Sequence, residues 1–182
     1  MPYDGPHGPH RWPRSPLTLQ AGGMAYTLPL IAEAQFASYL SANLTGTYPK
    51  ATPTGTISGI YSVIKGFSVE PFTAPFVMVS ALKFAEEEPF THCFNGTLEL
   101  SVTTQIDDCP DPVALHDSTV AQVYGLMSDQ AALMSGVNAS NFHLWGYYNT
   151  SYENGIGEGD KLGRCLATRL EYMIKVQNSG II

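Results

Sequence analysis

The chain has 182 residues, of which 44% are hydrophobic and only 14% charged, and its formal net charge is −7. That length suits one domain with some chain left for arms and loops, and the low charge, against a usual ~25%, leaves solubility to Ser, Thr, Asn and Gly or to cover by partner subunits. Nine Lys and Arg against sixteen Asp and Glu give no basic stripe to grip a phosphate backbone, no basic amphipathic stretch for a membrane surface, and no apolar run nears the ~20 residues that span a bilayer.

Residues 1–23 hold five prolines and four glycines, a composition that opposes helix and carries too little apolar surface for a core. This segment reads as an extended arm, with Trp12, Leu17 and Leu19 as its anchors. Its first part, Met1 to Arg14, lacks the apolar centre of a signal peptide. The folded domain is expected over 24–177, with a short tail at 178–182. Thr27 suits a helix N-cap with Pro29 in the first turn. Leu30, Ala34, Ala37, Ser41 and Leu44 then fall on one face, flanked by Ile31 and Leu40.

A Pro/Thr-rich connector leads to strand-like segments at Ile57–Ile64 and Phe67–Val69, then a better strand at Phe76–Phe84 ended by the acidic turn Glu86-Glu87-Glu88-Pro89. From Thr97 to Ile106 the alternation is clean. Leu98, Leu100, Val102, Thr104 and Ile106 face one way and Glu99, Ser101, Thr103 and Gln105 the other, the pattern of a half-buried antiparallel strand. Asp111 and Pro112 suit the N-cap and first turn of a helix running to about Met134, with Val113, Val120, Val123, Tyr124 and Met127 toward the core. Phe142–Tyr148 reads as an aromatic strand, Asn149–Gly163 as a polar loop with four glycines, and Arg164–Val176 as a long closing strand. The fold expected is α+β: a mostly antiparallel sheet with two helices packed on one face, in α-β-β-α-β-β order, plus the extended N-terminal arm.

The chemistry-bearing residues do not assemble into a site. His92 and Cys93 are adjacent, so on a strand they point to opposite faces. Cys109 sits at a helix start, where the dipole lowers a thiol pKa, but His116 lies nearly two turns away from it. Asp107, Asp108 and Asp111 lack the Asp-x-Asp-x-Asp-Gly pattern of a calcium loop, and helix capping accounts for them. The thiols Cys93, Cys109 and Cys165 are too widely spaced for a metal or redox motif and read as reduced. His7 and His10 are a flexible pair with nothing to fix them around a metal. Asn43, Asn95, Asn138 and Asn149 form glycosylation sequons; without a signal peptide they read as part of a Ser/Thr/Asn-rich surface. No catalytic residue, cofactor or metal ligand is expected.

TLELSVTTQIDDCPD, PVALHDSTVAQVYGLM, FHLWGYY and RCLATRLEYMIKV, preceded by the helix TLPLIAEAQFASYLSANL, resemble the tail-terminator and neck proteins of long-tailed bacteriophages. The likeness spans roughly residues 25–177 and rests on element order. It implies a structural virion protein without catalytic residues, assembled in the host cytoplasm. Its subunits would form a ring, a hexamer in that family, that caps the tail tube and joins it to the neck or head connector. An acidic ring would let DNA pass through its lumen without sticking. The 23-residue arm departs from the family pattern and leaves an adjoining neck or head-completion ring as an alternative. Subunit contacts are then expected at Trp12 in the arm, at Glu86, Glu87 and Glu88, at Asp107 and Asp108, at Tyr152 in the polar loop, and at Arg164, Arg169 and Glu171 on the last strand. Two other classes compete: a small cysteine-dependent hydrolase using Cys93 or Cys109, and a secreted adhesin or lectin-like module.

Overall fold

A computed structural model gives the fold, and the structure describes residues 18–44, 46–49, 56–59, 62–65, 75–87, 91–107, 111–159 and 163–178. In chain order the elements are α1 (Thr18–Asn43), β1 (Gly46–Pro49), β2 (Thr56–Gly59), β3 (Ser62–Lys65), β4 (Phe76–Glu86), β5 (Cys93–Gln105), α2 (Pro112–Ser128), α3 (Gln130–Val137), β6 (His143–Gly159) and β7 (Gly163–Gln177). A five-stranded sheet runs β3-β4-β5-β7-β6, and β1 and β2 form a separate two-stranded ribbon. All pairings in the main sheet are antiparallel except β3 with β4. The molecule is therefore α+β as expected, but the α-β-β-α-β-β order does not hold: among the described residues five strands separate α1 from α2, and there are three helices instead of two.

The core follows from the period of the strands. Leu98, Leu100 and Val102 of β5 are fully buried and lie opposite Tyr172, Leu170 and Thr168 of β7. Directly opposed residues share a face, so this face takes the helices while Glu99, Ser101 and Thr103 stay half open on the other. α1 packs over β3 and β4, α2 over β5 and β7, and α3 against β6. Their buried residues merge with the sheet into one apolar cluster.

α1 departs from expectation at both its start and its phase. It is already helical at Thr18, so Thr27 is not its cap, Pro29 lies inside the helix, and the last residues of the expected arm belong to it. The buried stripe is Leu28, Ala32, Phe36 and Leu40, with Ala37, Tyr39 and Leu44, while Leu30 is 65% exposed. This helix is apolar nearly all round, so periodicity could not fix which face turns inward. Residues 1–17, with Trp12, lie outside the described residues, as does the segment expected as a strand at Phe67–Val69.

α2 begins as expected: Asp111 Oδ1 accepts from the Ala114 N–H at 3.0 Å, with Pro112 in the first turn. It stops at Asp129, whose N–H donates to the Gly125 carbonyl and whose side chain accepts from the Ala132 N–H. One residue thus ends α2 and caps α3, breaking what reads in sequence as a single helix. Val113 and Tyr124, expected in the core, are 55% and 49% exposed.

The largest difference is at Asn149–Gly159. This stretch is not loop but the far half of β6, paired residue by residue with β7 down to Gly159 opposite Gly163. Its glycines and polar residues disguise it, and the partner strand holds it extended. β6 carries irregularities between Leu144 and Gly146 and between Asn149 and Ser151, each re-aiming the side chains that follow.

A third bulge, between Leu82 and Ala85 of β4, places Lys83 at a φ of 52°. It also brings the Phe84 ring over Gly96, where an added Cβ would sit 2.7 Å from Phe84 Cζ. Gly96→Ala is expected to cost about 1–3 kcal/mol in urea unfolding through this overlap. With Phe84→Ala already present the same change should cost far less, a coupling of about 1 kcal/mol or more in a double-mutant cycle.

Candidate functional site

Beyond its second bulge, β6 sets Tyr152, Asn154 and Ile156 opposite Leu170, Thr168 and Leu166 of β7. These side chains therefore lie on the face that the helices cover. α2, however, sits over β5 and β7, and leaves the far half of β6 as an open shelf. Between shelf and helix runs a groove with two lobes that meet at Asp117. One lobe, about 490 Å³, is lined by Val113, His116, Asn154, Ile156 and Leu166. The other, about 510 Å³, is lined by Val120, Ala121, Tyr124, Asn149 and Tyr152. Tyr124 on the helix and Tyr152 on the strand are each about half exposed, and Ile156 is 75% exposed.

The floor beside the first lobe is polar and fully engaged. His116 Nε2 lies 2.7 Å from Thr168 Oγ1, and Nδ1 lies 3.1 Å from Thr104 Oγ1. The Thr168 hydroxyl donates to Asn154 Oδ1 at 2.5 Å, so it must accept from His116. That fixes the proton on Nε2 and makes Nδ1 the acceptor from Thr104. A neutral imidazole thus ties α2 to β5, β7 and β6 at once. Burial pushes the His116 pKa below its ordinary 6.5, and the neighbouring Asp117 opposes this more weakly.

Tyr172 of β7 is only 3% exposed, its hydroxyl near the Asn149 side chain but outside strict hydrogen-bond geometry. Burial pushes its pKa up to about 12, with Tyr124 and Tyr147 adding to the rise and Asn149 moderating it. Two of these neighbours, Tyr124 and Asn149, line the groove. Tyr147 tilts against Tyr172 with ring centroids 6.2 Å apart.

The residues expected at subunit contacts fall in several places. Glu88 and Asp108, like Trp12, lie outside the described residues. On the open face of the sheet Arg169 pairs with Glu99 at 3.4 Å, Glu171 accepts from the Thr150 hydroxyl, and Lys175 pairs with Glu87 at 2.5 Å. Arg164 reaches Asp107 at 3.2 Å across the mouth of the β5–α2 turn, and Glu86 accepts from the His92 N–H. Arg169–Glu99, Lys175–Glu87 and Arg164–Asp107 are ion pairs within the chain, solvent-screened at one or both partners and worth little each, while Glu86 and Glu171 accept from uncharged donors. Of the described members of the set, Tyr152 alone lines the groove. His92 stands in the β4–β5 turn at a φ of 55°, not in a strand beside Cys93; Cys165 is buried, its pKa raised by that burial and by Asp107, and Cys109 lies outside the described residues.

Sequence reasoning missed the groove because its strand wall reads as loop. The available signal was the spacing of Trp145, Tyr148, Tyr152 and Ile156, large apolar groups recurring through a stretch otherwise polar. No protein-family model and no curated protein matches this chain.

His116 links stability to pH. Its folded pKa lies below the unfolded one, so the unfolded chain takes up the proton first. The contribution is complete above about pH 6.5 and is lost as pH falls below it. Urea midpoints measured between pH 7.5 and 5 should drop more steeply for the native chain than for His116→Gln. Thr168→Val, which strands the imidazole N–H, should cost about 1–3 kcal/mol at pH 7.5.

Proposed function

We propose that the chain is a structural, self-assembling subunit whose β6 edge is covered by another copy. Support comes chiefly from that edge. β6 is 17 residues long and pairs only with β7, so among the described residues no strand meets its outer side. Proteins that remain monomeric blunt such edges with lysine, proline, brevity or a covering element. β6 contains no Lys, Arg or Pro, and it exposes Trp145, Tyr148, Tyr152 and Ile156 by 52–75%. Two bulges and Glu153 and Glu158 interrupt it, but an edge this long with four large exposed side chains is a template for strand addition.

The order of the second half, strand, two helices and a long two-stranded hairpin, resembles that of the phage tail-terminator and neck proteins, although two helices stand where that pattern has one. On this reading the chain is a ring-forming virion subunit that caps the tail tube and joins it to the neck or head connector. The adjoining neck ring is the second reading. A head-to-tail contact that closes on itself generates a ring, and a hexamer is the expectation carried by the resemblance. The groove, apolar and lacking a paired nucleophile and base among the described residues, favours an interaction surface over the hydrolase class.

Tyr148 tests the edge without touching the groove or the core, being 62% exposed. Native mass spectrometry of the full chain should give a closed oligomer, a hexamer for a terminator ring. Tyr148→Lys should shift it to folded monomers with unchanged circular dichroism. A native chain that is monomeric at all accessible concentrations contradicts the proposal.

A further inference from the structure

We infer that His116 is an acid-operated latch, holding the first half of α2 on the sheet and letting it go, with the sheet intact, when the imidazole takes up a proton. The latch is a directed run of hydrogen bonds across four elements. Thr104 of β5 donates to Nδ1, Nε2 donates to Thr168 of β7, and Thr168 donates to Asn154 of β6. His116 and Thr168 each give one hydrogen and take one, so the run has no place for a second ring proton. A proton on Nδ1 meets the hydroxyl hydrogen of Thr104, a residue 1% exposed. Turning that hydrogen aside strips a buried donor of its acceptor.

The charge itself is no better received. The Asp117 carboxylate, next to His116 on α2, favours the imidazolium, and burial outweighs it. Arg169, Glu99 and Glu153 belong to the other face of the sheet, and Arg164 with Asp107 sits out at the β5–α2 turn. Further along the near face of β6 stands the Tyr152 phenol. The strand residues of the run, Thr104, Thr168 and Asn154, thus offer the imidazolium no carboxylate, and a buried cation without a partner is costly.

The first half of α2 has little else to hold it. From Pro112 to Ser118 only Leu115 and His116 are buried, while Val113, Ala114, Asp117 and Ser118 are exposed. The second half is anchored by Val120, Val123 and Met127. A segment with so few buried contacts opens at small cost. On opening, the ring leaves Thr104 and Thr168 for the first lobe, which it already lines beside Asp117, and there water and a carboxylate receive the imidazolium. The docked ring has a pKa below the ordinary 6.5 of a released one. The closed form therefore prevails above about pH 6.5, and each pH unit below it raises the open fraction by up to about tenfold, until the docked ring itself protonates. The ladders of β5, β7 and β6 do not run through His116, and the outer edge of β6 plays no part.

Hydrogen–deuterium exchange of the full chain between pH 7.5 and 5, corrected for the intrinsic rate at each pH, tests the latch. Protection of the amides from Leu115 to Thr119 should fall by up to about tenfold per pH unit below pH 6.5, while Leu98–Val102 and Leu170–Ile174 keep theirs. His116→Gln, which cannot take the proton, should flatten this dependence. Asp117→Asn, at an exposed position, should move its onset to lower pH by removing the carboxylate that receives the freed ring; should His116→Gln fail to fold, this shift decides alone. Protection of Leu115–Thr119 that is indifferent to pH, is lost in step with the strands, or depends on pH in both variants as it does in the native chain overturns the inference. A chain that is monomeric throughout still reports on the latch, so the latch and the assembly fail separately.

Discussion

The fold depends on β7 being paired along both sides. β5 and β6 flank it in register from Cys165 to Gln177. Its alternate residues Thr168, Leu170, Tyr172, Ile174 and Val176 are buried beneath the helices. Because side chains alternate with a period of two, a one-residue slip would turn this whole row to the polar face. β7 thereby sets the register of both neighbours. It extends the glycine-rich half of β6, orients Tyr152 and Ile156 toward the helix side, and supplies the threonine that holds His116. Every feature of the groove traces back to this one strand.

The two margins of the sheet are treated differently. Beyond the end of β3, the backbone of β4 is met by α1, where Glu33 Oε1 accepts from the Ala81 N–H at 3.0 Å. At the opposite margin, among the described residues, only the start of β6 is handled this way, the Leu144 N–H donating to Asn138 Oδ1 at 2.7 Å. Past that point the strand projects beyond its helix cover with apolar side chains on both faces. The fold closes one side by its own side chains and, among the described residues, leaves the other open, the asymmetry that the proposed assembly uses.

How far the sequence was legible follows the same physics. β5 and β7 could be read because each has one buried and one wet face, which writes alternation into the residue order. Asp111 and Pro112 announced α2 through local capping chemistry that needs no tertiary partner. The phase of α1 could not be read, since Leu28, Leu30, Ile31 and Phe36 surround the helix and only the sheet decides which are buried. Nor could the break at Asp129, where one aspartate serves two helices. The far half of β6 was hidden for a further reason: Asn-Gly, Gly-x-Gly and two bulges are turn signals, and strand character there comes from β7. Tyr152 was singled out, but the groove it lines needs Val120 and Tyr124 across a gap of nearly thirty residues in sequence.

Hydrogen–deuterium exchange along β6, compared between concentrated and highly diluted protein, tests the central claim most directly. Backbone amides on the outer edge past Leu144 have no strand partner among the described residues, so in a monomer they exchange quickly, while those facing β7 are protected. If another copy covers the edge, the outer amides between Gly146 and Glu158 gain protection at high concentration and lose it on dilution, with β5 and β7 unchanged. Fast exchange of those amides at every concentration, in protein that is otherwise folded, contradicts the account.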